Sequence, residues 1–166
     1  MQDFVTSSCP IPSAITIGVF DGVHLGHQAL LSATAATAAS RRLRPITVSM
    51  HPRARDVLGR GEQSLYVTTL GQRVRLIRAR GIEQVAVLRF TREVASTSAS
   101  DFVADLLRRY NMAALVVGAD FALGRGREGT VDVLRELGSG MGFAVDVVAP
   151  VLDGPVSRAC RAAHRT

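Results

Sequence analysis

Two histidines, His24 and His27, stand three positions apart in Gly18-Val19-Phe20-Asp21-Gly22-Val23-His24-Leu25-Gly26-His27. Gly18, Gly22 and Gly26 remove side chains where a backbone must turn or approach a ligand closely. A loop entering a helix aims free N–H groups and the positive end of the dipole at its ligand, which favours a phosphate. A spacing of three puts both imidazoles on one side of the first helical turn, facing the same anion. On the residues alone two other readings stay open. The histidines could be surface residues, or ligands of a metal whose partners lie far off, since no third His or Cys stands nearby.

The elements that must position this loop follow from the pattern around it. Ala14-Ile15-Thr16-Ile17-Gly18 reads as a short buried strand, and Gln28 to Ala39, rich in alanine and leucine, as a helix. Further strands are expected at Pro45–Met50, Gln84–Arg89, Ala113–Val117 and Ala144–Val148. Thr69 and Gln72 have capping-box spacing for a helix running to Arg80 with Gly81 as its stop. Ser98 and Asp101 open a helix that ends near Tyr110, and Val131–Met141 forms a helix stopped by Gly142. The stretch from His51 to Leu65 reads as a polar excursion, and Gly124 to Gly129 as a glycine- and arginine-rich loop. Strands alternating with helices, and apolar almost throughout, imply an α/β fold: a Rossmann-like, doubly wound parallel five-stranded sheet with helices on both faces, in a single domain. In such a sheet ligands bind beyond the carboxyl ends of the strands.

Composition narrows the function. The chain has 166 residues and a formal net charge of +6. It has no lysine, its arginines are scattered, and it offers two tyrosines and no tryptophan for stacking on bases. That disfavours nucleic acid, and an anionic small molecule fits the charge equally well. No apolar run reaches bilayer length, which speaks against a membrane partner, and the N-terminus has no secretion pattern. Cys9 and Cys160 have no metal-like spacing and read as two free thiols in a reducing cytoplasm. Residues 157–166 carry three arginines and few apolar side chains, and are expected to be a disordered or divergent tail.

The segment from Ile17 to Gln28 resembles the HxGH-type signature of the bacterial FAD synthetases, whose N-terminal module is an FMN adenylyltransferase and whose C-terminal module is a riboflavin kinase. Thr68-Thr69-Leu70-Gly71-Gln72-Arg73, Phe90-Thr91-Arg92-Glu93 and Asp101-Phe102 match that module in order and spacing. The stretch from Val117 to Gly129 resembles its second signature, and Gly142-Phe143 follows at the matching distance. The resemblance covers residues 14 to 156, so residues 1–156 are expected to form one nucleotidyltransferase domain. It implies transfer of AMP from ATP to FMN, giving FAD and pyrophosphate, with Mg²⁺ assisting; metal ligands are not indicated. It implies that His24 and His27 are the catalytic pair. Gly18, Val19, Phe20, Asp21, Gly22, Gly26, Gly118, Asp120, Ser157 and Arg161 would bind the nucleotide. Met50, His51, Pro52 and Phe121 would face the acceptor, with ordinary core packing an equal reading for Phe121.

Three departures bear on the activity. The family's Thr-Phe-x-Pro-His-Pro-like stretch is here Val48-Ser49-Met50-His51-Pro52, without the aromatic and the first proline. Its Ser-Ser-Thr-x-x-Arg motif is matched only by Ser157 and Arg161 within Val156–Arg161. No riboflavin kinase module is expected after it, so FMN is expected from another protein. Two alternatives arise from these departures: a stand-alone nucleotidyltransferase for another phosphorylated or phosphonate acceptor, and an impaired homologue that binds nucleotide or flavin without turnover.

Overall fold

The computed structural model describes residues 11–59 and 65–151. Ser157, Arg161, Cys9, Cys160 and the expected tail at 157–166 lie outside the described residues. The sheet is built from β1 (Ser13–Gly18), β2 (Arg44–His51), β3 (Gln84–Arg89), β4 (Met112–Gly118) and β7 (Ala144–Val148). Its order is β3-β2-β1-β4-β7, with every pairing parallel. The helices are α1 (Leu25–Arg41), α2 (Ala54–Leu58), α3 (Leu70–Arg78), α4 (Arg92–Ser96), α5 (Ala99–Tyr110) and α6 (Val131–Met141). A hairpin of β5 (Ala122–Leu123) and β6 (Gly129–Thr130) stands apart from the sheet. Among the described residues no helix is long and apolar enough to cross a membrane.

Side-chain alternation along the strands divides the interior. Ile15 and Ile17 of β1, Ile46 and Val48 of β2, and Leu115 and Val117 of β4 join Val103, Leu106, Leu134 and Phe143 under α5 and α6. On the other face Ala14 and Ala114 meet Ala38 of α1. These small residues let α1 lie close across the middle of the sheet. A second cluster there joins Phe20, Val23 and Leu31 to Ile77 of α3 and to Ile82, between α3 and β3. Both faces are therefore covered, as the apolar strands require.

The five sheet strands and the helices α3, α5 and α6 stand where the periodicity puts them, to within a few residues. The Thr69–Gln72 capping box is formed in both directions. Three differences have local causes. Helix α1 begins at Leu25 instead of Gln28, because the His24 side chain caps it by accepting from the His27 amide. Two five-residue helices, α2 and α4, occupy stretches too short to show a periodicity; Thr91 caps the second through the Val94 amide. The 124–129 loop closes the β5–β6 hairpin and is clasped to the start of α5. Its Glu128 carboxylate accepts from the Ala99 amide at 2.9 Å, and the Arg125 amide donates to the Thr97 carbonyl at 2.8 Å.

That clasp is close enough to require glycine at 124. Its φ is +78°, and a Cβ would stand 2.7 Å from the Ala99 nitrogen. Gly124→Ala is expected to lower the unfolding free energy by about 2–3 kcal/mol in urea melts. Gly71, exposed in the first turn of α3 with open space around it, is the control. Gly71→Ala should raise stability by about 0.5–1 kcal/mol. Equal effects from the two would mean that the clasp is not tight.

Candidate functional site

The strand order reverses at β1. The chain leaves β1 to build β2 and β3 on one side, and returns to place β4 and β7 on the other. Gly18, His51 and Gly118 end three adjacent strands at the same edge. Gly18 and Gly118 each lie three residues beyond the Ile15–Leu115 pair. This is the crevice in which an open parallel sheet binds its ligands.

The loop from Gly18 to His27 fills that crevice with backbone. Phe20 (φ 55°), Gly22 (φ 70°) and Val23 (φ 42°) adopt left-handed conformations, which bend the chain sharply between strand and helix. The buried side chains of Phe20 and Val23 anchor the bend in the core. Gly18 makes room for the Phe20 ring, whose Cε2 would stand 3.1 Å from a Cβ there. Phe20 is fully buried, so its ring is not accessible from the crevice. His24 takes the helix N-cap with its Nδ1 3.4 Å from the His27 amide, which puts the proton of a neutral ring on Nε2. Gly26 leaves space for that ring; a Cβ would lie 3.3 Å from its Cε1 and Nδ1. The His24 and His27 rings stack with centroids 3.6 Å apart. The Phe20 ring lies 5.0 Å from the His27 ring on its other contact. Two imidazoles thus sit side by side at a helix N-terminus, where the amides of Leu25 and Gly26 belong to the unbonded first turn.

Asp21 faces inward. Its carboxylate accepts from the Val67 amide at 3.1 Å, and from the Thr68 amide and hydroxyl at 2.9 Å each. Arg53 pairs with it, and the Arg73 guanidinium lies 3.8 Å away. Burial alone would raise the pKa of Asp21, but these hydrogen bonds outweigh it and hold the carboxyl below its ordinary value. Thr68 passes the restraint on, its hydroxyl oxygen accepting from the Gly22 amide at 3.2 Å. Asp21 therefore shapes the loop through residues about fifty positions away in the chain.

Near the end of β2, Met50 packs against the main core cluster. His51 and Pro52 follow at the end of β2, joined by a cis peptide bond. The His51 Nδ1 is buried and makes no hydrogen bond. Burial first, then the charge of Arg73, press the His51 pKa below its ordinary value, so the ring is neutral near pH 7. Tyr66 lies 5.2 Å from the His51 ring and 3.9 Å under the Arg53 guanidinium, and its hydroxyl donates to Asp56 while accepting from the Arg53 amide. On β4 the chain turns after Gly118, with the Phe121 amide donating to the Gly118 carbonyl at 3.1 Å. Asp120 is exposed, and its carbonyl accepts from Arg127 at 3.1 Å. Phe121 is half-buried against the same cluster as Met50. Gly18, Val19, Asp21, Gly22, His24, Gly26, His27, Met50, His51, Pro52, Gly118, Asp120 and Phe121 thus all lie on the strand ends, the loops that leave them or the first turn of α1.

Sequence reading missed Arg53, Tyr66, Thr68 and Arg73 as members of this region. One signal was present: Arg73 stands four positions before buried Ile77, a charge on the inward stripe of α3.

The FAD synthetase family model matches residues 6–158. The bifunctional riboflavin kinase/FMN adenylyltransferase of Escherichia coli K12 is 32% identical over 143 residues, which cover 86% of this chain and 46% of that protein. The FAD synthetase of Listeria monocytogenes is 34% identical over 129 residues, 75% of this chain and 51% of that protein. A Streptococcus pneumoniae crystal structure described as that of a macrolide-efflux protein superposes with a TM-score of 0.77 at 26% identity, covering 87% of this chain and 47% of that one. The chain spans about half the length of the curated relatives it matches. With a Rossmann-like sheet and this family match over nearly its whole length, the chain belongs to the FAD synthetase family.

Proposed function

We propose that this chain transfers AMP from ATP to FMN, giving FAD and pyrophosphate. The observation that carries the reading is the stacked His24–His27 pair at the N-terminus of α1, set where the strand order reverses. In the reaction a phosphate oxygen of FMN bonds to the α-phosphorus of ATP. The bond from that phosphorus to the α,β-bridging oxygen breaks, and pyrophosphate leaves with the electron pair. No covalent enzyme intermediate is needed, so the protein contributes positioning and charge stabilisation. His24 and His27 present ring N–H groups to the triphosphate, and the first amides of α1 add the helix dipole. Gly18, Val19, Phe20, Gly22 and Gly26 let the loop backbone come close, and Gly118 and Asp120 face the nucleotide from β4. Met50, His51, Pro52 and Phe121 line the acceptor side. Mg²⁺, when bound, would neutralise phosphate charge. Among the described residues no three His, Cys, Asp or Glu side chains converge into a cage for it. The reading puts the catalytic unit at residues 1–156 and the protein in the cytoplasm, with ATP and FMN as its small-molecule partners.

Incubation of the chain with ATP, Mg²⁺ and FMN should yield FAD by chromatography. Release of pyrophosphate with another phosphorylated or phosphonate acceptor, and none with FMN, would transfer the same chemistry to that acceptor. The remodelled Met50-His51-Pro52 end of β2 is the place where such a change would be written. ATP binding without turnover on any acceptor would mark a non-catalytic homologue.

The two histidines should separate on mutation. His27→Ala is expected to lower kcat/KM for ATP by about 100-fold, the loss typical of one pre-organised charge-stabilising donor. His24→Asn keeps an N-cap acceptor, so it should lose comparable activity while its melting temperature stays close to that of the parent. His24→Ala should lose a further ~1 kcal/mol of stability with the cap. Full activity in His27→Ala would remove the pair from the reaction.

A further inference from the structure

Arg73 is fully buried, and none of its three guanidinium nitrogens makes a hydrogen bond. Its nearest opposite charge is Asp21 at 3.8 Å, and the Tyr66 ring lies 5.2 Å from its guanidinium carbon. Arg53 already pairs with Asp21, so the carboxylate faces two cations. Burying a guanidinium without hydrogen bonds costs stability, and an apolar residue of similar size is often better there. The fold alone therefore gives no reason for this arginine. What the charge does reach is the carboxylate that holds Thr68, and Thr68 in turn holds the Gly22 amide at the left-handed turn before His24. The other charged or titratable groups in the cluster are Asp56 of α2, His51 at the end of β2, and Tyr66.

We propose that Arg73 is a positioning residue for nucleotide binding, acting with Arg53 through Asp21 to fix the turn that aims His24 and His27. The inference rests on the nucleotide-binding reading of that loop. It assigns to α3 a part in setting the phosphate loop, although no atom of Arg73 is exposed to touch a ligand.

The test uses the full chain and the variants Arg73→Met, Arg73→Lys, Asp21→Asn and the double variant Asp21→Asn/Arg73→Met. Three quantities are read: ATP affinity by calorimetry, melting temperature, and backbone amide exchange at Gly22, Val67 and Thr68. Arg73→Met should weaken ATP binding about ten-fold, the size of coupling expected in one charge network. It should not lower the melting temperature. It should speed exchange at the three amides and leave Val145 of β7 unchanged. Arg73→Lys should recover most of the affinity, and the double variant should bind no worse than Asp21→Asn.

A lower melting temperature, or an unfolded chain, with Arg73→Met would show that the arginine serves the fold, and would overturn the proposal. So would additive losses in the double variant, since Arg73 would then act by a route other than Asp21. If the parent chain binds no ATP, the functional reading fails separately. The proposal is then decided by amide exchange alone, and unchanged exchange at Gly22 and Thr68 rejects it.

Discussion

Everything in the site hangs from one central strand, β1, which is hydrogen-bonded along both edges and buried on both faces. A strand so enclosed can present chemistry to a ligand only at its ends, because the side chains along it are sealed in the core; even the Thr16 hydroxyl is buried there, without a hydrogen bond. At its carboxyl end the chain must also reverse into α1, which lies across the same strand. Ala14, Ala38 and Ala114 set how close that helix lies, and so where its N-terminus stands relative to the strand ends. The position of the histidine pair is thus a consequence of small-residue packing in the middle of the sheet. The left-handed turn between Phe20 and Val23 is the remaining freedom, and Phe20 and Val23 remove most of it by burying their side chains.

How much of this could be read from the sequence depended on range. The five sheet strands were legible because strands buried on both faces are short apolar runs bounded by turn residues. Helix α6 was legible from its periodicity and from Gly142, which takes the left-handed C-cap. The sharp turn from Gly18 into α1 was legible because its glycines and histidines lie within ten residues of one another. The start of α1 was read three residues late, since an imidazole is not among the usual N-cap side chains. Helices of five residues carry too few positions to show a period. The partners of Asp21 were out of reach for a different reason. Arg53 and Thr68 lie 32 and 47 positions away, and no local pattern ties a carboxylate to a particular distant amide.

The Asp21 cluster also shows a conflict between stability and placement. A carboxylate with a bonded arginine, two backbone amides and a hydroxyl is already well satisfied. A second buried cation adds Coulomb attraction at 3.8 Å but no hydrogen bond, and it carries the desolvation penalty of its own charge. Such an arrangement is costly for the fold and restrictive for the loop. Sites that need one backbone geometry, held without reorganisation as charge shifts in the transition state, are where that exchange is expected.

The same clusters separate the two halves of the crevice. The loop is anchored by Phe20 and Val23, which pack with Leu31, Ile77 and Ile82 on the α1 and α3 side of the sheet. Met50 and Phe121, across the crevice, pack into the cluster under α5 and α6. A change at Met50 therefore repacks a different body of side chains from the one that fixes the histidines. The two halves meet through Arg53, which follows Pro52 directly and reaches back to Asp21. A substitution at the end of β2 would repack the side chains under α5 and α6 while the Gly18–His27 loop stays set, provided that Arg53 keeps its hold on Asp21.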